Sequence, residues 1–491
     1  MKRAILALDQ GTTNTKALLV SEQGDVLAQA GEPTRVIYPR PGWAELSPID
    51  IWDSAVRVTN RLAHRAREDE IEIIAIGLTN QRESALLWEG EQCRPMGPCV
   101  LWQCRRTSDL CATLRASQGG PIIQERTGLP LDPLFSASKF AWLLDAIPQA
   151  RARAEAGDLQ AGTADSWLLR KLTGGVHATD HSNASRTQLL NLQTGGWDAE
   201  LASLFGVPLS ILPEIRPSDS CFGVTRAGVT DLPAGVPIHA IMGDSHAALY
   251  AHGIEEPGRL KVTCGTGSSL MTPTLGRQTS THGLSTTIAW SRRAEVVYAL
   301  EGNITVSGEV AAFAARLLGI ANEAALTTLA NSVPSSEGVV FVPALAGLGA
   351  PHWSDRARGM ISGMSLGTNP AHIARAAFEA IALQISDVFV ALESDLGHSL
   401  AELSVDGGAA QNDLLMQLLS DLVGRPVVRR THAEMSALGV ARMAAEATGF
   451  GWDPHTGDAP TVFRPSMPEA ERAQIQSRWR EEVERTKFQV H

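Results

Sequence analysis

Asp9-Gln10-Gly11-Thr12-Thr13 sits between two apolar runs, Ala4-Ile5-Leu6-Ala7-Leu8 before it and Thr15-Lys16-Ala17-Leu18-Leu19-Val20 after it. Each run reads as a buried strand, and Ser21-Glu22-Gln23-Gly24 closes the second with a turn. A glycine held between two strands differs from the strand-to-helix turns of dinucleotide and P-loop sites, and neither GxGxxG nor GxxxxGK[ST] occurs. The pattern returns at Gly265-Thr266-Gly267, with Leu260 to Cys264 leading in and Ser268 to Met271 leading out. Alone, either turn is an ordinary strand connection. Repeated once in each half, and with Asp9 at a strand end, the turns imply a duplicated domain that clamps a polyphosphate between them. Backbone N–H groups and threonine hydroxyls supply the donors such an anion needs, and glycine lets the backbone come close.

The length of 491 residues suggests two to four domains, ample for sizeable cores. A hydrophobic content of 44% with 19% charged residues is that of a soluble globular chain. The net charge of −11 and the lack of a concentrated basic patch argue against a nucleic-acid partner, so an anionic substrate would need local cations. No apolar run reaches the roughly 18 residues needed to span a bilayer, which argues against a membrane partner. Met1-Lys2-Arg3 imitates the start of a signal peptide, but Asp9 interrupts the apolar stretch, which reads as the first strand of the fold. Cys93, Cys99, Cys104 and Cys111 cluster without a histidine or a CxxC pair, and Cys221 and Cys264 stand apart. Free thiols in a reducing cytoplasm are expected rather than zinc.

Strand-like and helix-like segments alternate along the chain, the pattern of an α/β protein. Ile73 to Leu78 reads as a strand ending at Thr79-Asn80-Gln81-Arg82-Glu83. Val236 to Met242 reads as another, with Pro237 near its start, ending at Gly243-Asp244. Leu403 to Asp406 ends at Gly407-Gly408. The clearest helix runs from Pro370 to Leu396, with Asn369 as N-cap, proline in the first turn and Gly397 as the stop. A second helix, Val310 to Leu318, follows Gly308, and the charged stretch from Glu469 to Lys487 reads as a solvated helix. The polar segment Gly253-Ile254-Glu255-Glu256-Pro257-Gly258 marks a domain boundary, dividing the chain into residues 1–252 and 253–491.

Functional groups in open α/β sheets collect where strands end. Phosphoryl transfer needs a carboxylate for Mg²⁺, a carboxylate to take the acceptor hydroxyl's proton, and donors for the phosphate oxygens. Asp9 suits the metal and Asp244 the proton, although an aspartate after a strand equally suits a helix cap. Arg82 and Glu83 form an adjacent cation–anion pair that reads either as a surface ion pair or as a grip on neighbouring hydroxyls.

Taken together, Asp9 to Thr13, Leu78 to Ser84, Trp102 to Thr107 and Asp180 to Thr187 resemble motifs of the FGGY family of carbohydrate kinases. So do Gly243-Asp244, Gly265 to Gly267, Ala346 to Trp353 and Asp406 to Ala409, and within the family the glycerol kinases are the most similar. The resemblance covers residues 4 to about 450 and implies two actin-like (ribonuclease-H-like) α/β domains with an interdomain cleft. It further implies ATP and Mg²⁺ as cofactors, a small polyol or sugar as substrate, and room for a homo-oligomer. By position, Thr12, Thr13, Asn14 and Lys16 would line the triphosphate, where the family more often has serine and arginine at the last two. Thr266, Gly308, Gly408 and Asn412 match other nucleotide positions, while Ala312 replaces a glutamine of glycerol kinase. Arg82, Glu83, Trp102 and Asp244 match the polyol site, with Asp244 as the base.

Two departures bear on the substrate. Leu134 stands where glycerol kinases usually have tyrosine, and Ser269 where they usually have phenylalanine. Losing both aromatic walls should enlarge the pocket and leave Ser269 as an extra hydrogen-bonding group. The expected activity is therefore ATP-dependent phosphorylation of a terminal hydroxyl on a short polyol or sugar, with glycerol phosphorylation proper as the alternative. The rival of another class is an actin-like ATPase or nucleotide-binding regulator without an acceptor, against which the Arg82-Glu83 pair and Asp244 stand.

Overall fold

A computed structural model describes residues 2–90, 92–117, 119–293, 295–430, 434–452 and 459–488. Two large sheets organise it, one in each half of the sequence. In the first, Lys2–Gln10, Asn14–Val20 and Val26–Pro33 form an antiparallel meander around the first glycine turn. Ile71–Asn80 and Pro237–Gly243 extend it in parallel, and Gly223–Val224 closes that edge antiparallel. The second sheet repeats the scheme. Leu260–Cys264, Ser268–Thr274 and Glu295–Ile304 form the meander, Leu403–Asp406 and Val427–Arg429 add in parallel, and Thr461–Phe463 closes the edge. One further strand, Ser285–Arg292, pairs with Glu295–Ile304. Because each meander meets its parallel strands beside its glycine turn, both turns lie at corresponding sheet positions.

Strands Lys2–Gln10, Asn14–Val20 and Ile71–Asn80 are buried over most of their length because both faces of the sheet are covered there. Ala4, Leu6 and Leu8 join a core with Ile51, Val58 and Leu62 of helix Pro48–Glu68, while Ile5 and Ala7 join the opposite core. That second core is filled by helices Asp244–Ala251 and Met435–Thr448. The latter comes from the second half of the chain, so the two halves interlock. Glycines permit the close approach: a Cβ on Gly439 would lie 1.8 Å from the carbonyl oxygen of Ala247, and one on Gly77 2.6 Å from that of Val440.

The helix expected from its caps is present over Pro370–Leu396, with the Asn369 side chain accepting from the Ala371 N–H and Gly397 left-handed at φ 70°. Helix Glu309–Leu318 begins at Gly308. Helix Glu469–Lys487 departs from the solvated reading: Trp479, Val483 and Thr486 are buried, and the Trp479 indole donates to Asp387 Oδ2 at 2.7 Å. Among the described residues no single helix is long and apolar enough to cross a membrane, and all six cysteines are free.

Candidate active site

Both glycine turns are closed by their own backbone. The Gly11 N–H donates to the Asn14 carbonyl at 3.0 Å, and that of Gly265 to the Gly267 carbonyl at 2.9 Å. Thr13 and Thr266, at the tips, are exposed. Both line one cleft of about 410 Å³, into which each domain contributes a wall. Arg82, Glu83, Trp102, Leu134, Asp244 and Ser269 line the same cleft, so the sequence-predicted acceptor residues converge.

Arg82 and Glu83 lie in the turn after strand Ile71–Asn80, and Glu83 is left-handed at φ 61°. That backbone sends the neighbouring side chains to different partners. Both are buried rather than on the surface, and their closest charged atoms are 4.0 Å apart. The stronger contacts cross to the second sheet, where Glu301 is fully buried. Arg82 Nη2 lies 2.8 Å and Nη1 2.9 Å from its two oxygens. Arg186 Nη1 lies 2.9 Å from Glu301, and Arg186 Nε donates to Glu83 at 2.7 Å. Burial alone would raise the Glu301 carboxyl, but Arg186 and Arg82 hold it well below the usual range. Glu301 was not singled out from the sequence, and Arg186 appeared there only within a longer motif.

Asp244 opens helix Asp244–Ala251 and accepts from Arg82 Nε at 3.2 Å and from the Ser245 N–H at 2.6 Å. It does not cap the helix: Gly243 holds that position, without a side-chain cap. Enclosure raises its carboxyl above the ordinary value, against the pull of Arg82. Trp102 donates its indole N–H to Thr12 Oγ1 at 2.9 Å, and Thr12 donates to Gln81 at 3.1 Å, so these groups brace the turn. Leu134 is held by its loop: its N–H donates to Asp132 Oδ1 at 2.8 Å, and the fully buried Lys139 donates to the carbonyls of Pro133, Leu134 and Phe135 at 2.8, 2.6 and 3.0 Å. Tyr38 and Trp353 supply aromatic lining that the loss of tyrosine and phenylalanine had not anticipated.

Six predicted residues lie outside the cleft lining: Asp9, Asn14, Lys16, Gly308, Gly408 and Asn412. Lys16 pairs with Glu434 at 2.7 Å instead of pointing into the cleft. Asn412 caps helix Asp413–Val423, accepting from the Leu415 N–H at 3.1 Å, and donates to Thr327 at 2.8 Å. Gly308 donates its N–H to the Gly265 carbonyl at 3.0 Å, and a Cβ there would come within 2.4 Å of that oxygen. A Cβ on Gly408 would meet open space. Asp9 and Asn14 each keep a buried side-chain oxygen, Oδ1, without a hydrogen bond. Burial, and then Asp244 facing it, push the Asp9 carboxyl up to about 8.

Residues 4–251 match the FGGY family of carbohydrate kinases, N-terminal domain, and residues 260–448 match its C-terminal domain. The chain belongs to the FGGY family of carbohydrate kinases. It is 45% identical to a glycerol kinase of Alkalilimnicola ehrlichii, with 98% of each chain covered. It is 46% identical to an apulose kinase of Pectobacterium atrosepticum, covering 91% of this chain and 90% of that one. A crystal structure of Plasmodium falciparum glycerol kinase with ADP superimposes with a TM-score of 0.89 at 30% identity, over 100% and 99% of the two chains. This FGGY protein is accordingly an ATP-dependent kinase of two actin-like domains, with the cleft between its sheets.

Proposed function

We propose that the cleft transfers the terminal phosphoryl group of ATP to the terminal hydroxyl of a four- or five-carbon polyol or ketose in preference to glycerol. The observation that carries this is the joint presence of Leu134 and Ser269 in the cleft that Arg82, Glu83, Trp102 and Asp244 line. Without two aromatic walls a three-carbon substrate is held loosely, and transfer depends on positioning. A relative named for apulose, at 46% identity, is in keeping with an acceptor other than glycerol. Glycerol itself is the second reading, favoured by the 45% identity to a glycerol kinase.

In this reading Arg82 and Glu83 grip adjacent hydroxyls while Trp102 walls the carbon chain. Asp244, with its carboxyl raised by enclosure, accepts the proton of the attacking hydroxyl. Thr13 and Thr266 donate to the phosphates from opposite sides. Asp9 fits a divalent cation, since its Oδ1 is buried without a donor and its charge is disfavoured until a cation arrives. No group of three or more metal-binding side chains exists among the described residues, so Mg²⁺ would rest on Asp9 and phosphate oxygens. Bound there, it would neutralise charge on the phosphates. Free thiols agree with a cytoplasmic location.

Rates of ADP release with glycerol, erythritol, threitol, ribitol and xylulose test the proposal. A higher kcat/KM for a four- or five-carbon acceptor is expected, and a clear preference for glycerol would mean that Tyr38 and Trp353 close the pocket instead.

A further inference from the structure

Ser269 and Asn303 are direct partners across the antiparallel strands Ser268–Thr274 and Glu295–Ile304, and both line the cleft. Side chains so paired stand about 5 Å apart at Cβ, on one face of the sheet. Their hydrogen bonds are set by the buried Glu301. Ser269 Oγ donates to Glu301 Oε1 at 2.8 Å, and Asn303 Nδ2 donates to the same oxygen at 3.0 Å. Arg186 Nη2 in turn donates to Asn303 Oδ1 at 2.8 Å, which fixes the amide's orientation.

The consequence follows from counting donors and acceptors. Ser269 has one hydroxyl hydrogen, committed to an anion, so towards the cleft it offers only lone pairs. Asn303 has two amide hydrogens and commits one, so the other is left to donate. Glu301 holds its charge against burial because two guanidiniums flank it, and it stays an acceptor throughout. The wall therefore presents one acceptor beside one donor.

We infer that the Ser269–Asn303 pair is a hydroxyl subsite, which selects acceptors carrying a hydroxyl beyond the three carbons that Arg82, Glu83 and Trp102 hold. This rests on the reading of the cleft as an acceptor site for a longer polyol or ketose. A hydroxyl satisfies both groups, donating to Ser269 and accepting from Asn303. A carbonyl satisfies Asn303 and sets its oxygen against the Ser269 lone pairs, and a methyl group satisfies neither. A ketose is thus accepted only when it turns a hydroxyl, and not its carbonyl, to this pair. Buried polar groups left unpaired by an analogue lacking the hydroxyl are what make such a site discriminate.

The test compares erythritol and threitol with butane-1,2,3-triol, which lacks one terminal hydroxyl. The readout is kcat/KM, or the inverse inhibition constant against glycerol where a compound binds without turnover. In the wild type the better tetritol should exceed butane-1,2,3-triol by about tenfold or more. In Ser269→Ala and in Asn303→Ser that ratio should fall to within about twofold, with the thermal midpoint of each variant checking that it is folded. A wild-type ratio near one, or a ratio unchanged in both variants, overturns the subsite. Wild-type preference for glycerol over every longer acceptor overturns the substrate reading instead, and the tetritol-to-triol ratio still tests the pair.

Discussion

The Lys16 ammonium meets both oxygens of Glu434, at 2.7 and 2.8 Å, across 418 positions of chain. Lys16 lies in the strand that leaves the first glycine turn, and Glu434 precedes the helix Met435–Thr448. The pair thus fastens the turn bearing Thr12 and Thr13 to a helix from the far end of the sequence. It also occupies the cation that the family resemblance assigns to the triphosphate.

Glu434→Gln should release Lys16. The pair is partly exposed, with side-chain exposures of 36% and 26%, so stability should change by no more than about 1 kcal/mol. The KM for ATP should fall if the freed ammonium turns to the phosphates. An unchanged KM in steady-state assays would leave Lys16 as a strut alone.

Asp244→Asn keeps the shape and the contact with Arg82 but cannot take a proton. Turnover should drop by about 10²–10⁴-fold while equilibrium binding of ADP, followed by calorimetry, is largely retained. Near-normal turnover would remove Asp244 from the chemistry.

Glu301→Ala would leave Arg82 and Arg186 buried without their shared carboxylate. Breaking a buried pair on one side costs about 3–5 kcal/mol, which urea denaturation would register. Glu301→Gln keeps the acceptor oxygen and should lie between the two. A wild-type-like midpoint for the alanine variant would show the guanidiniums to be solvated after all.

Lys139 provides a pH signature. Burial lowers its ammonium to about 8 from an ordinary 10.5, so between those values the unfolded chain binds the proton and the folded one does not. Stability relative to Lys139→Met should therefore rise with pH through this window, by up to about 1.4 kcal/mol per unit. Below pH 8 both states carry the proton and the difference should be flat. Denaturant titrations from pH 7 to 10 decide it, and a gap that ignores pH would place the group outside this range.

The reach of sequence reasoning here follows how local each signal is. The helix Pro370–Leu396 was legible to the residue because its cap, its first-turn proline and its terminal glycine all act within a few positions. The inner strands beside the two glycine turns were legible because they are largely buried and leave apolar runs, whereas the half-exposed Val26–Pro33, Glu295–Ile304 and Thr461–Phe463 were not. The proposed acceptor site was half legible. Arg82, Glu83 and Asp244 stood out, yet the carboxylate that Arg82 shares with Arg186 did not, since Glu301 meets Arg82 across 219 positions and only the folded chain brings them together. Trp479 was missed for the opposite reason: one buried face of a helix is hidden among many charges.

The helix Met435–Thr448 has a bearing on how the chain is made. It seals the face of the first sheet formed by Ile5, Ala7, Leu18, Val20, Ala75, Ala240 and Met242. During synthesis those strands emerge first, and the cover for that face leaves the ribosome only after most of the second half has been translated. Throughout that interval a nascent chain carries an apolar sheet surface that helix Asp244–Ala251 covers only in part, the kind of surface that chaperones shield and that aggregation exploits.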